Sequence, residues 1–90
     1  MRRDLKEFHK KEIVTHSPEI FDEVKFAADE LKSGKPAIIN LTQLTADERL
    51  WAVHFLNGVI YALDGTTREI GNWVFVFSPG GVIVTMEDEE

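Results

Sequence analysis

Five consecutive apolar residues, Trp73-Val74-Phe75-Val76-Phe77, constrain this chain more than any other stretch. Gly71-Asn72 precedes them and Ser78-Pro79-Gly80-Gly81 follows. Aromatic and β-branched residues in alternation, bounded by turn formers, read as a strand. Successive side chains of a strand point to opposite faces. Trp73, Phe75 and Phe77 therefore share one face, and Val74 and Val76 share the other. A strand apolar on both sides needs cover on both sides of its sheet.

The rest of the chain supplies helices for one of those sides. Glu12-Ile13-Val14-Thr15-His16 is short and β-branched, a first strand. Ser17-Pro18 has the chemistry of an N-cap followed by a first helical position, with Glu19, Asp22 and Glu23 where the helix dipole favours acids. Phe21, Val24, Ala28 and Leu31 recur at helical spacing, and Gly34 suits the left-handed position that ends a helix. Pro36–Leu41 is a second strand, and strand-helix-strand at this spacing predicts a parallel pair. Thr45-Ala46-Asp47-Glu48 is a capping box opening a second helix that runs to about Tyr61, with Ala52, Phe55, Leu56 and Val59 as its apolar stripe. Gly58 interrupts that helix at a cost of about 1 kcal/mol relative to alanine. Close packing on the domain's own sheet or close approach of a second subunit would each account for it.

Asp64-Gly65 turns the chain into a third strand, Thr66–Ile70. Gly71-Asn72 reads as a two-residue hairpin loop of the primed kind. A fifth strand is expected over Val82–Met86. The order β-α-β-α-β-β-β predicts a two-layer α/β sandwich, two helices on one face of a roughly five-stranded mixed sheet. The uncovered face then carries apolar side chains from several strands. Surfaces of that extent mark contacts, and the simplest cover is the same face of a second copy, a homodimer. The folded core is read as residues 12–86, flanked by a flexible, charged segment 1–11 and an acidic tail 87–90.

Composition narrows the function classes. The net charge of −6 argues against nucleic-acid backbones as partners. No apolar run approaches the roughly 20 residues of a membrane span. With no cysteine there is no thiolate metal site or disulfide framework, in keeping with a reducing cytoplasm. His9, His16 and His54 lack a second ligand at zinc-helix spacing, no phosphate loop or dinucleotide fingerprint is present, and Thr42, Thr45 and Ser78 have no activating partner in the sequence. No catalytic residue, cofactor or metal is expected. A small-molecule-binding, dimeric regulatory α/β domain is the alternative reading.

Phe21-Asp22-Glu23, Leu31–Pro36, Ile39-Asn40-Leu41, Phe55-Leu56-Asn57-Gly58, Tyr61–Gly65, Glu69-Ile70-Gly71 and Val74–Pro79 lie in an order and spacing that resembles the core domain of SepF. SepF is the bacterial cell-division protein that links FtsZ to the membrane. The resemblance implies helices on a β-sheet, a dimer made through that sheet, further assembly through helices in some members, and binding of the C-terminal peptide of FtsZ. It also implies cytoplasmic localisation at the division site, with membrane contact through an N-terminal amphipathic helix that is here missing or reduced to Met1–Lys11. By the same resemblance Gly58 falls on a helix glycine linked to the dimer, and Trp73 and Phe77 join it as candidate interface residues. Phe75 falls on a strand phenylalanine of the peptide site, with core packing as its plain alternative. Trp51, Phe55, Arg68 and Glu69 complete the candidate peptide contacts. Arg68 stands one place before the family's basic position, which Glu69 occupies.

Overall fold

The computed structural model describes residues 13–82. In chain order these form strand β1 (Val14–His16), a 3-10 turn (Phe21–Glu23), helix α1 (Val24–Lys32), β2 (Ala37–Asn40), helix α2 (Ala46–Ala62), β3 (Thr66–Gly71) and β4 (Val74–Ser78). Among the described residues the sheet has four strands in the order β1-β2-β4-β3, where the sequence suggested five. The fifth expected strand, like the segment 1–11 and the tail 87–90, falls outside the described residues but for Val82. β1 and β2 run parallel, as strand-helix-strand spacing requires, and β4 lies antiparallel to both β2 and β3. Both edges of β4 are thus paired within the sheet, which makes it a central strand.

The core lies between the helices and one face of this sheet. Val24, Ala27, Ala28 and Leu31 of α1 and Ala52, Leu56 and Ile60 of α2 pack with Ala37 and Ile39 of β2 and with Phe75 and Phe77 of β4. The alternation along β4 holds: the aromatic side faces the helices, and Val76 lies opposite Ile38 on the other side. Phe55 departs from expectation. The buried stripe of α2 follows residues 52, 56 and 60, and Phe55, one step of about 100° away, is 41% exposed.

The helix ends show which local signals decide. Thr45 accepts from the Glu48 amide and Glu48 reaches back to the Thr45 amide, so the capping box forms as read. Gly34 closes α1 at φ 93°. The start of α1 is a correction: Ser17-Pro18 does not open a helix. Ile20 is still extended, the 3-10 turn follows, and α-helical geometry begins only at Val24. The Glu19 amide instead donates to the Glu23 carboxylate at 2.8 Å, which satisfies that donor without a helix.

The β3–β4 hairpin is a second correction. Its loop is Asn72-Trp73, one residue later than expected, and the register slips between Glu69 and Gly71. Only Trp73, with φ 63°, takes the left-handed conformation there. A primed turn needs positive φ at its first loop residue.

Candidate interaction surface

Two groups of side chains stand out on the helical side. The first is aromatic. Trp51 and Phe55 lie one turn apart on α2, and the ring of Phe21 reaches both, edge-on to Trp51 at 5.9 Å and to Phe55 at 6.5 Å between centroids. The 3-10 turn presents Phe21 to that contact. Trp51 is 55% exposed, so the cluster presents an outward apolar surface, with half-buried Phe21 joining it to the core. Leu50 and Phe26 add further exposed apolar area on the two helices. Spacings of four, three and four residues put Trp51, Phe55, Gly58 and Ala62 on one stripe of α2, and all are exposed.

Gly58 belongs to this outward stripe. A Cβ built there meets nothing within 4 Å, which removes packing on the domain's own sheet as the reason for glycine. It also takes Gly58 away from the sheet face opposite the helices, where the sequence reading had linked it to a dimer.

The second group surrounds the hairpin tip. The Arg49 guanidinium lies over the Trp73 ring, 5.5 Å from its centroid. The Trp73 amide donates to the Glu69 carboxylate at 3.4 Å, and the Trp73 carbonyl accepts from the Leu41 amide at 2.8 Å.

The structure separates the candidate peptide residues. Trp51 and Phe55 come together on the surface. Phe75 is only 8% exposed and packs in the core between Trp73 and Phe77. Glu69 pairs with Phe75 across the ladder, on the helix side, whereas Arg68 pairs with Val76 on the opposite side. The five therefore do not make one site. Of the candidate interface residues, Phe77 is fully buried beneath the helices and half-buried Trp73 packs against the same core, so neither belongs to the sheet face opposite the helices. That face carries Ile38, Val74 and Val76. Phe21, read from its spacing with Val24, Ala28 and Leu31 as core, does pack against the core but also reaches Trp51 and Phe55, a contact its spacing does not show; Arg49 was missed, since no motif singles it out.

Fold and surface together define a small two-layer α/β domain whose outward features are aromatic and apolar. The family model of the cell division protein SepF matches residues 13–84, and the chain belongs to that family. It is 36% identical over 70 residues to cell division protein SepF 2 of Desulforamulus reducens, covering 78% of this chain and 44% of the relative. With SepF of Symbiobacterium thermophilum it shares 37% over 73 residues, 81% of this chain and 36% of the relative. The chain thus spans about half or less of the length of these curated relatives. Among solved structures, a SepF-like protein from Archaeoglobus fulgidus superposes with a TM-score of 0.72 at 16% identity, covering 83% of this chain and 93% of that one. One from Pyrococcus furiosus superposes with a TM-score of 0.66 at 20% identity, covering 82% and 93%. At such identities these two neighbours establish the fold alone.

Proposed function

We propose that this domain is a non-enzymatic cell-division adaptor, a homodimer that binds the C-terminal peptide of FtsZ on the cytoplasmic side of the division site. Membership of the SepF family supports the division role. The observation that carries the binding role is the cluster in which exposed Trp51 and Phe55 meet half-buried Phe21. Clustered, rigid aromatic side chains present large contact area with few rotamers to freeze, the usual chemistry of a peptide anchor. An apolar peptide laid along α2 would cover this cluster, with the open space over Gly58 admitting peptide backbone one turn further on.

Affinity at one such site need not be high. A dimer offers two equivalent sites, and neighbouring subunits of a filament raise each other's effective concentration. Tethering and alignment of filaments then follow from bivalency.

Calorimetric titration with the C-terminal peptide of FtsZ from the same organism tests the reading. Saturable binding at one peptide per chain, weakened about tenfold or more by Trp51→Ala, is expected of an anchor residue. Absence of binding at millimolar peptide by the folded domain would remove the adaptor role and leave the family assignment intact. Phe75→Ala is a poor reporter of contact, because emptying that core position costs about 3–5 kcal/mol of stability.

A further inference from the structure

Trp73 is the least comfortable residue in the fold. Bulky side chains rarely adopt φ near 63°, and an outlier of this kind persists only where its surroundings fix it. Those surroundings come from elements far apart in sequence. Arg49 of α2 covers the ring, Leu41 at the end of β2 holds the carbonyl, and Glu69 of β3 takes the amide. Arg49 is itself held loosely. Its Nη2 reaches the Thr42 carbonyl at 3.5 Å, and its Nε is buried without a hydrogen-bond partner among the described residues. Trp73 in turn lies edge-on against Phe75, 6.3 Å between centroids.

We infer that Arg49 and Trp73 form a clasp that holds the tip of the β3–β4 hairpin against the β2–α2 connection, and that the tip opens as a local unit, uncovering Phe75. Two unfavourable terms sit inside the closed clasp: the left-handed tryptophan and the unsatisfied guanidinium donor. Lifting the tip relieves both, since Trp73 regains its ordinary backbone and Nε meets water. What opposes opening is the Leu41–Trp73 hydrogen bond, the weaker one from the Trp73 amide to Glu69, the cation–π contact and the burial of part of the indole. On the β3 side the slipped register at Glu69–Gly71 already interrupts the ladder. On the β2 side opening breaks the Leu41–Trp73 hydrogen bond and stops short of the Ile39–Phe75 pair. Phe77, fully buried and further from the loop than Phe75, stays in place. Phe75 is thereby a gated residue: inside the core when the clasp is shut, open to an apolar partner when it is released. Opening itself does not depend on the adaptor reading; only the choice of an FtsZ peptide as the entrant does.

Amide hydrogen exchange on the full chain tests the clasp without any partner. The Leu41 amide is expected to exchange about tenfold or more faster than those of Ile39 and Leu56, as a local opening requires. Arg49→Ala should widen that gap and shift the emission of Trp73 to longer wavelength in a Trp51→Phe background, with Leu56 protection unchanged. Arg49→Lys, which keeps a cation over the ring, should restore most of the protection. If Leu41 exchanges only as slowly as Leu56, the tip opens with the whole domain and the clasp is overturned, whatever a peptide titration finds. Should Arg49→Ala not fold, the wild-type exchange pattern and Arg49→Lys decide the matter, and equal exchange at Leu41 in Arg49→Lys and a folded Arg49→Gln would equally overturn it.

Discussion

A methyl group added at Gly65 and one added at Gly58 should have opposite effects. At Gly65 a Cβ would run into the Ser78 carbonyl oxygen and come within 2.9 Å of the Pro79 Cα, both backbone atoms that cannot swing aside. Gly65→Ala is expected to lower stability by about 1–3 kcal/mol, the usual range for overpacking. At Gly58 nothing lies within 4 Å, so Gly58→Ala should raise stability by about 0.5–1 kcal/mol through helix propensity alone. Urea denaturation of the two variants checks both signs. The contrast also shows what single residues disclose in a sequence. Gly34 sits in the left-handed position that its place after Lys32-Ser33 suggests. Asp64-Gly65 turns the chain into β3 as read, but it is Asp64 that takes the positive φ, 57°, and Gly65 is there for close approach. Sequence marks a glycine as special without saying whether dihedral or distance makes it so, and it gives no sign that a tryptophan at a hairpin tip will be left-handed.

At the scale of elements, α2 is the best-specified piece. Its capping box pairs two otherwise unsatisfied amides, Glu48 with the Thr45 hydroxyl at 3.2 Å and Thr45 with the Glu48 carboxylate at 3.1 Å. Thr45→Ala should therefore cost about 1 kcal/mol, read as a lower denaturation midpoint at unchanged slope. A first helix from Ser17-Pro18 is the local reading, yet the chain stays extended to Ile20, and Phe21 in the 3-10 turn is engaged by Trp51 and Phe55 from another element. A tertiary contact of that kind leaves no trace in the spacing of α1. The facing of α2 is hard to read for a related reason. Ala52, Phe55, Leu56, Val59 and Ile60 wrap more of the helix than one partner layer can cover, so periodicity identifies a helix but not which of two adjacent apolar residues turns outward. The residue left outside, Phe55, is the one that joins the candidate binding surface.

For the molecule as a whole, the sequence showed that β4 needs cover on both sides, and the fold supplies helices to the aromatic side. The choice of side was not legible, because Trp73-Phe75-Phe77 and Val74-Val76 are both apolar; the bulkier row went beneath the helices. Ile38 and Val74 remain half-buried on the other face, and Val76, in register between Ile38 and Arg68, is buried there. The adaptor reading assigns that face to the dimer and leaves the Trp51–Gly58 stripe of α2 for peptide or for higher assembly. The two surfaces lie on opposite sides of the sheet, so substitutions on them should separate. Ile38→Lys places a second cation on the face that Arg68 shares and is expected to convert the dimer to single chains by light scattering. Gly58→Lys has room in the isolated domain and should leave both the fold and the dimer mass intact while reducing peptide binding or larger assemblies. The reverse pattern, with Gly58→Lys giving single chains and Ile38→Lys a dimer, would move the two-fold contact to the helices, where large Trp51 and Phe55 at one end of the stripe face small Gly58 and Ala62 at the other. An antiparallel pair of such helices would then be self-complementary, since each copy's bulky end meets its partner's small end.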